Sequence, residues 1–373
     1  MRKEVKLLAF YLPQYHEIEE NNKWWGKGFT EWTNVKRGRK LYIGHYQPKV
    51  PLNNNYYDLS NPDVLQTQAR LATKYKIHGF CFYHYYFMGK KLLEKPVEIY
   101  LKQKNKIPYC LAWANQSFAR TWYGKDGNNE ILLQKTYGKE KEWKDHFDYL
   151  LPFFKDEKYI KVNNCPVFLI YLSQDIEECT RMITKWNKWA RDEGFSGIHF
   201  VAMDTGFRVL QFPKKINAVV DFEPVRTLRD LPKWLNKFRS KRREKFLQKG
   251  ISENVLVNSL YVDNICSYDF ISRLSKNRKY DNGVKTHYLG VFVGWDNTAR
   301  KDESGFIIRN STPKKFKEYV KKQIKKSNKM GNEYLFVNAW NEWSEGAYLE
   351  PDNKYGYAYL NAIKEAVSEM EYF

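Results

Sequence analysis

At 373 residues the chain has room for one large domain or two ordinary ones, and 43% hydrophobic residues supply a sizeable core, which excludes global disorder. A formal charge of +20 points to an anionic partner: nucleic acid, an anionic membrane face or an acidic glycan. Aromatic residues reach 17%, and flat rings with polar tips suit stacking on sugar faces as well as a bulky core.

Eight short apolar or β-branched runs recur along the chain, at 6–13, 77–87, 107–115, 165–172, 198–205, 216–224, 288–296 and 334–343. Most are near-continuous, as expected of strands buried on both faces of a parallel sheet. Helical patterns lie between many of them. Asn61-Pro62-Asp63 opens one, with Leu65, Ala69 and Ala72 as its apolar stripe, and another covers 175–193 with Cys179, Ile183, Trp186 and Ala190. Eight strands alternating with helices predict an α/β fold, a (β/α)8 TIM barrel with long βα-loop insertions. An open doubly wound sheet is second, since no Gly-rich loop follows the first strand. The expected organisation is one catalytic domain over 1–373, with a long loop at 14–58 and a basic insertion at about 225–285.

The ends of these runs carry the functional signal. In order they offer Tyr11, Gln14 and His16; Tyr83, His84 and Tyr85; Trp113, Asn115 and Gln116; Tyr171; Asp204; Asp221 and Glu223; Trp295, Asp296 and Asn297; then Trp340, Asn341, Glu342, Trp343 and Glu345. Barrel enzymes build their sites on this C-terminal face. The loop 14–58 adds Trp24, Trp25, Glu31 and Trp32, and reads as a lid or wall of the site. Among these, His84 reads equally as a satisfied core histidine, and Asp221 with Glu223 as a buried charge pair or a contact to sugar hydroxyls.

Glu342 and Glu345 are three residues apart, just past the last strand, between Trp340 and Trp343. Glycoside cleavage uses two carboxyl groups, one protonating the leaving oxygen and the other attacking or activating what attacks. Tryptophan walls lower the local polarity and keep a neighbouring acid protonated. The sequence holds no Gly-x-Ser-x-Gly, HExxH, P-loop or Gly-x-Gly-x-x-Gly, nor an Asp-x-Asp of the kind nucleotide-sugar transferases use for a metal. No zinc-ligand spacing occurs either, so neither metal nor cofactor is expected. Five cysteines occur without a CxxC pair, and Cys81, Cys110 and Cys165, in or beside apolar runs, read as reduced core residues.

The stretch 226–249 holds ten Lys or Arg against Asp230 and Glu244. It is read as a peripheral contact with an anionic membrane or a lipid-linked glycan. Lys314 to Lys329 reads instead as a helix with a solvated lysine face opposite Phe316, Val320 and Ile324. With no signal-peptide pattern at the start and no apolar run of membrane-spanning length, a cytoplasmic protein is expected, peripheral to the inner membrane. Charge and aromatics alone are too thin a basis for a nucleic-acid partner.

Longer motifs then become recognisable. They are Phe10-Tyr11-Leu12-Pro13-Gln14-Tyr15-His16, the run from Trp24 to Val35, Gly44-His45-Tyr46-Gln47-Pro48, the run from Gly79 to Tyr85, and Ala112-Trp113-Ala114-Asn115. Gly294-Trp295-Asp296-Asn297-Thr298, the run from Trp340 to Gly346, and Leu349-Glu350-Pro351 complete the set. Together they resemble the WbsX-like bacterial polysaccharide proteins, which are similar to family 99 glycoside hydrolases. The resemblance implies a (β/α)8 barrel without an obligatory metal, acting on glycosidic bonds of a bacterial surface polysaccharide such as O-antigen or capsule. It further implies that Glu342 assists the sugar's own 2-hydroxyl as internal nucleophile. Glu345 becomes general acid, then base for the acceptor, through a 1,2-anhydro sugar and with net retention. Ser344 stands where the hydrolases often carry His, a departure that bears on the sugar more than on the chemistry. Two alternatives stay open. One is a glycosyltransferase using a nucleotide- or lipid-linked donor; the other is a non-catalytic glycan-binding protein.

Overall fold

The apolar runs become strands whose side chains are buried on both faces. They are β1 (Lys6–Tyr11), β2 (Gly79–Phe87), β3 (Tyr109–Trp113), β4 (Cys165–Ile170), β5 (His199–Asp204), β6 (Ala218–Asp221), β7 (Thr286–Phe292) and β8 (Tyr334–Asn338). The structure is a computed structural model and describes residues 4–119, 131–133, 136–205, 212–231, 265–280 and 286–371. Each strand pairs in parallel with its sequence neighbour, and β1 closes the ring by pairing with β8, Leu8 opposite Phe336 and Ala9 opposite Val337. Closure leaves no sheet edge, and it decides for the (β/α)8 barrel over the open sheet.

Alternation along the strands separates inside from outside. Phe10 reaches Phe222, just past β6 on the far side of the ring, at 5.4 Å between centroids, so it points into the barrel. Tyr83 and Phe336 stack on it there, at 5.9 and 5.4 Å. The next residue, Tyr11, points outward to Phe82 and to Gln68 of the helix Pro62–Lys74. That helix starts where expected: the Asn61 side chain accepts the Asp63 N–H at 3.0 Å, and Leu65, Ala69 and Ala72 are buried. The helices Cys179–Asp192 and Pro313–Lys329 likewise bury the residues their periodicity marks. Most of the aromatic surplus goes into this core, where Trp186, Trp340, Trp343, Tyr100 and Tyr109 are fully buried.

β6 and β7 approach too closely for any side chain at Gly290, where a Cβ would stand 2.1 Å from the Asp221 carbonyl oxygen. Gly290→Ala is expected to cost about 3 kcal/mol of stability. A urea midpoint equal to that of the parent would refute this.

The loop 14–58 is built, not loose. It contains the helices Glu19–Trp25 and Glu31–Arg37 and is pinned by Glu31 N–H to the Gln14 carbonyl at 2.9 Å. None of the five cysteines is in a disulfide. Among the described residues no helix is long and apolar enough to cross a membrane. Most of the basic stretch 226–249 lies outside the described residues; Arg226 and Arg229, which lie inside them, form ion pairs with Asp204.

Candidate active site

After β8 the chain makes a tight hairpin. Asn341–Glu342 pairs with Ala347–Tyr348, a single turn of helix carries Trp343–Glu345, and Gly346 takes a left-handed φ of 61°. A Cβ there would also stand 3.0 Å from the Asp296 backbone, so position 346 favours glycine twice over. Asn341 fixes this hairpin to the end of β1. Its Oδ1 accepts the Leu12 N–H at 2.7 Å and its Nδ2 donates to the Leu12 carbonyl at 2.9 Å. The Tyr15 hydroxyl donates to the Asn341 carbonyl, and the Trp340 N–H donates to the Phe10 carbonyl at 2.8 Å.

So held, Glu342 and Glu345 line a cleft of about 380 Å³ on the C-terminal face of the barrel. Gln14, Tyr83, Tyr85, Tyr171, Phe222 and Trp295 supply much of its wall, and Asn297 and Gln116 reach it as well. Its size and its mix of ring faces with convergent polar groups suit one or two sugar rings.

The electrostatic centre is Arg300. Its Nη1 donates to Glu345 Oε1 at 2.6 Å, its Nε to Glu31 Oε1 at 2.7 Å, and its Nη2 lies 3.5 Å from Glu342 Oε2. Ser344 donates its hydroxyl to Glu31, and Asn34 donates to the other oxygen of that carboxylate at 3.2 Å. One buried cation thus faces three carboxylates from two segments, the loop after β1 and the hairpin after β8. Burial, and then the neighbouring Glu345, push Glu342 well above the usual carboxylate range against the pull of Arg300. Burial raises Glu345 as well, with Arg300 opposing. The closer contact to Arg300 favours the anion on Glu345, so Glu342 holds a proton more tightly than Glu345 does.

Other residues from the strand ends stand outside the lining of the cleft. Glu350 accepts from Trp343 Nε1, the Tyr57 hydroxyl and Gln68 Nε2, each at 2.7 Å, and the Tyr11 hydroxyl donates to Gln68 at 2.5 Å. Trp32 donates to the Tyr57 carbonyl at 2.8 Å, and Trp24 packs on the core while Trp25 meets Phe29 at 5.7 Å. His16 Nδ1 is 3.0 Å from the Pro13 carbonyl oxygen. His84 and His146 share a hydrogen between their Nε2 atoms at 2.8 Å, the core role open to it from the sequence. Trp113 donates to the Tyr86 carbonyl at 3.1 Å, and Asn115 clamps Leu172 through both its N–H and its carbonyl, at 2.7 and 3.0 Å. Asp204 pairs with Arg226 and Arg229, while Asp221 and Glu223 each lie 2.7 Å from Arg278 Nη1. Asp296 accepts from Gln47 at 2.8 Å and Thr298 at 2.6 Å and lies 2.9 Å from His45 Nε2. Arg300 and Phe222 were not singled out from sequence. Arg300 had one signal: an arginine four residues past Asp296, in the loop that follows a strand end rich in polar residues.

Glu350 carries a testable consequence. Burial pushes it up to about 7, against the three hydrogen bonds it accepts. A carboxyl whose folded pKa exceeds its unfolded value gives stability below the unfolded pKa and loses it as pH rises through the folded one. Between about pH 4.5 and pH 7 this group therefore withdraws about 3 kcal/mol. Glu350→Gln is expected to flatten that slope. It also costs about 2 kcal/mol at low pH, because both oxygens receive donors and an amide offers only one acceptor. Urea denaturation at several pH values checks both, and unchanged slopes would refute the first.

Barrel and cleft together define the class, a (β/α)8 barrel with its candidate site on the C-terminal face after the last strand. Over residues 7–363 the chain matches the glycosyltransferase WbsX family, and it belongs to that family. It is 34% identical over 370 residues to the protein WxcX of Xanthomonas campestris pv. campestris, in two strains. That alignment takes in 97% of this chain but 49% of WxcX, so the chain spans about half the length of these curated relatives. Among solved structures it is similar to the GH99 endo-alpha-mannosidase from Bacteroides thetaiotaomicron, with a TM-score of 0.55 at 12% identity, covering 98% of this chain and 97% of that one. A glycoside hydrolase-like protein gives a TM-score of 0.57 at 14% identity, covering 98% and 94%. At such identities the likeness is one of fold.

Proposed function

We propose that the chain is a carbohydrate-active enzyme that breaks or transfers glycosidic bonds of a bacterial surface polysaccharide with retention, using Glu342 and Glu345. The observation that carries this reading is the placement of both carboxyls around one buried arginine in an aromatic-walled cleft. The whole of residues 1–373 is read as one catalytic unit.

In the proposed reaction the glycosidic oxygen enters beside Glu345 and displaces Arg300 from it. The proton of the pair passes to Glu345, and Glu342 becomes the base. Glu342 takes the 2-hydroxyl proton as that oxygen bonds to the anomeric carbon. Glu345 gives its proton to the leaving oxygen as the old bond breaks. The 1,2-anhydro sugar so formed is then opened by water or a sugar hydroxyl. Glu345 removes that acceptor's proton, and Glu342 returns its own to the 2-oxygen. Two inversions at one carbon give net retention. A carboxylate attacking directly reaches the same stereochemistry by a covalent ester, so trapping of such an ester counts against the 2-hydroxyl route.

The test is turnover of oligosaccharide fragments of the host's own surface polysaccharide, followed by NMR of the first-formed anomer. Retained product from the parent and none from Glu345→Gln supports the reading. Inverted product, or unchanged turnover in that variant, refutes it. Release of nucleotide or lipid phosphate from an activated donor would move the reading to a donor-dependent transferase.

A further inference from the structure

A second cavity, of about 470 Å³, lies beside the cleft. Trp295 lines both, and the two neighbouring pairs Asp296 with Asn297 and Glu345 with Gly346 each give one residue to each cavity. The loop after β1 and the segments after β7 and β8 build its walls, so it shares the C-terminal face of the barrel with the candidate active site.

Three cations reach this cavity, and tyrosine faces hold them. The Arg309 guanidinium lies 4.4 Å from the Tyr42 ring centre. Lys49 and Lys354 approach one ring, Tyr46, at 4.5 and 5.0 Å. Two ammonium groups over a single ring repel each other, and a bound anion would relieve this. Nearby carboxylates are already engaged. Asp296 serves His45, Gln47 and Thr298 and is 3.5 Å from Lys49. Asp352 accepts from the Tyr348 hydroxyl at 2.7 Å and from the Lys354 and Tyr355 N–H groups at 3.1 and 2.6 Å. Burial lowers the pKa of Lys49, with Asp296 opposing, so a further anion close to its ammonium is favoured. Positive charge therefore exceeds negative inside a pocket of sugar size, walled by rings with polar edges. The net charge of +20 is unexplained by the cleft itself, where Glu342 and Glu345 balance Arg300 and Lys301.

We propose that this cavity is a saccharide subsite for an anionic sugar unit, bearing a carboxylate or a phosphate, on the glycan whose glycosidic bond lies over Glu342 and Glu345. The placement on that glycan rests on the function proposed above; the binding of an anionic sugar does not.

Isothermal titration of the full chain with digalacturonic acid, glucose 6-phosphate, inorganic phosphate and maltose tests it. At least one of the two acidic sugars is expected to bind, and which one identifies the anion. The double variant Arg309→Ala, Lys354→Ala should weaken that binding by about tenfold or more, and Glu345→Gln should leave it unchanged. Both substituted side chains are exposed, so the fold is expected to survive, and a melting curve confirms it. The proposal is overturned if neither acidic sugar binds at millimolar concentration. Maltose binding as tightly as the acidic sugars overturns it too, as does inorganic phosphate matching glucose 6-phosphate, or the double variant retaining full affinity. Turnover by Glu345→Gln is measured separately. Its persistence removes the catalytic reading while leaving the anionic-sugar site standing.

Discussion

Glu345→Gln is expected to lower kcat/KM on a natural glycan about a thousandfold, the usual weight of a general acid and base acting on a poor leaving group. A substrate with an activated leaving group, such as an aryl glycoside or a glycosyl fluoride, needs no proton to depart. On it the first step in Glu345→Gln should recover, and the opening of the intermediate becomes limiting. Azide, a nucleophile that needs no base, should then restore turnover and give a glycosyl azide of retained configuration. Glu342→Gln behaves differently, because the 2-hydroxyl must lose its proton whichever group leaves. It should be slow on both substrates and indifferent to azide. Equal rescue of both variants would exchange or dissolve the assigned roles. Wild-type turnover in either would remove that residue from the chemistry.

Arg300→Met is expected to destabilise the fold by about 3–5 kcal/mol at neutral pH, since it strips their shared guanidinium from Glu31, Glu342 and Glu345 in a buried setting. The effect carries a definite pH signature. Arg300 opposes the upward push of burial on Glu342 and Glu345, so its loss raises both further. A carboxyl whose folded pKa rises keeps its stabilising proton at low pH and costs stability as pH climbs through the new value. The deficit should therefore be small near pH 4 and grow toward pH 8. The acidic limb of the activity profile, set by ionisation of the base, should move to higher pH. Urea denaturation at both ends of the range checks the first point, and a deficit independent of pH would show that Arg300 acts by packing alone. Arg300→Lys keeps the charge and loses the fork, so it should restore stability at pH 8 more fully than it restores turnover.

Local pattern carried the fold a long way. Each of the eight apolar runs became a barrel strand, because a strand buried on both faces needs consecutive apolar residues and little else in the chain produces such runs. The helix start at Asn61 was equally legible, since a cap is a contact between residues two or three apart. The pair Glu342 and Glu345 stood out for the same reason, two carboxyls on one turn past a strand.

What local pattern could not carry was the fate of each polar strand end. Asp204, Glu223 and Asp296 sit at strand ends much as Glu342 does, yet they stand outside the cleft lining, engaged by Arg226, Arg278 and His45. Glu31, in the loop after the first strand, meets Arg300, 269 residues later. These are contacts between residues far apart in the chain, and closure of the barrel alone brings them together. The strands, the capped helix and the carboxyl pair are each written within a few residues of chain. That Arg300 centres that pair, that Glu31 joins it, and that an aromatic cavity rich in cations lies on the other side of Trp295 came from the folded arrangement. Electrostatic partnership depends on distance through space, and a linear pattern does not hold that distance.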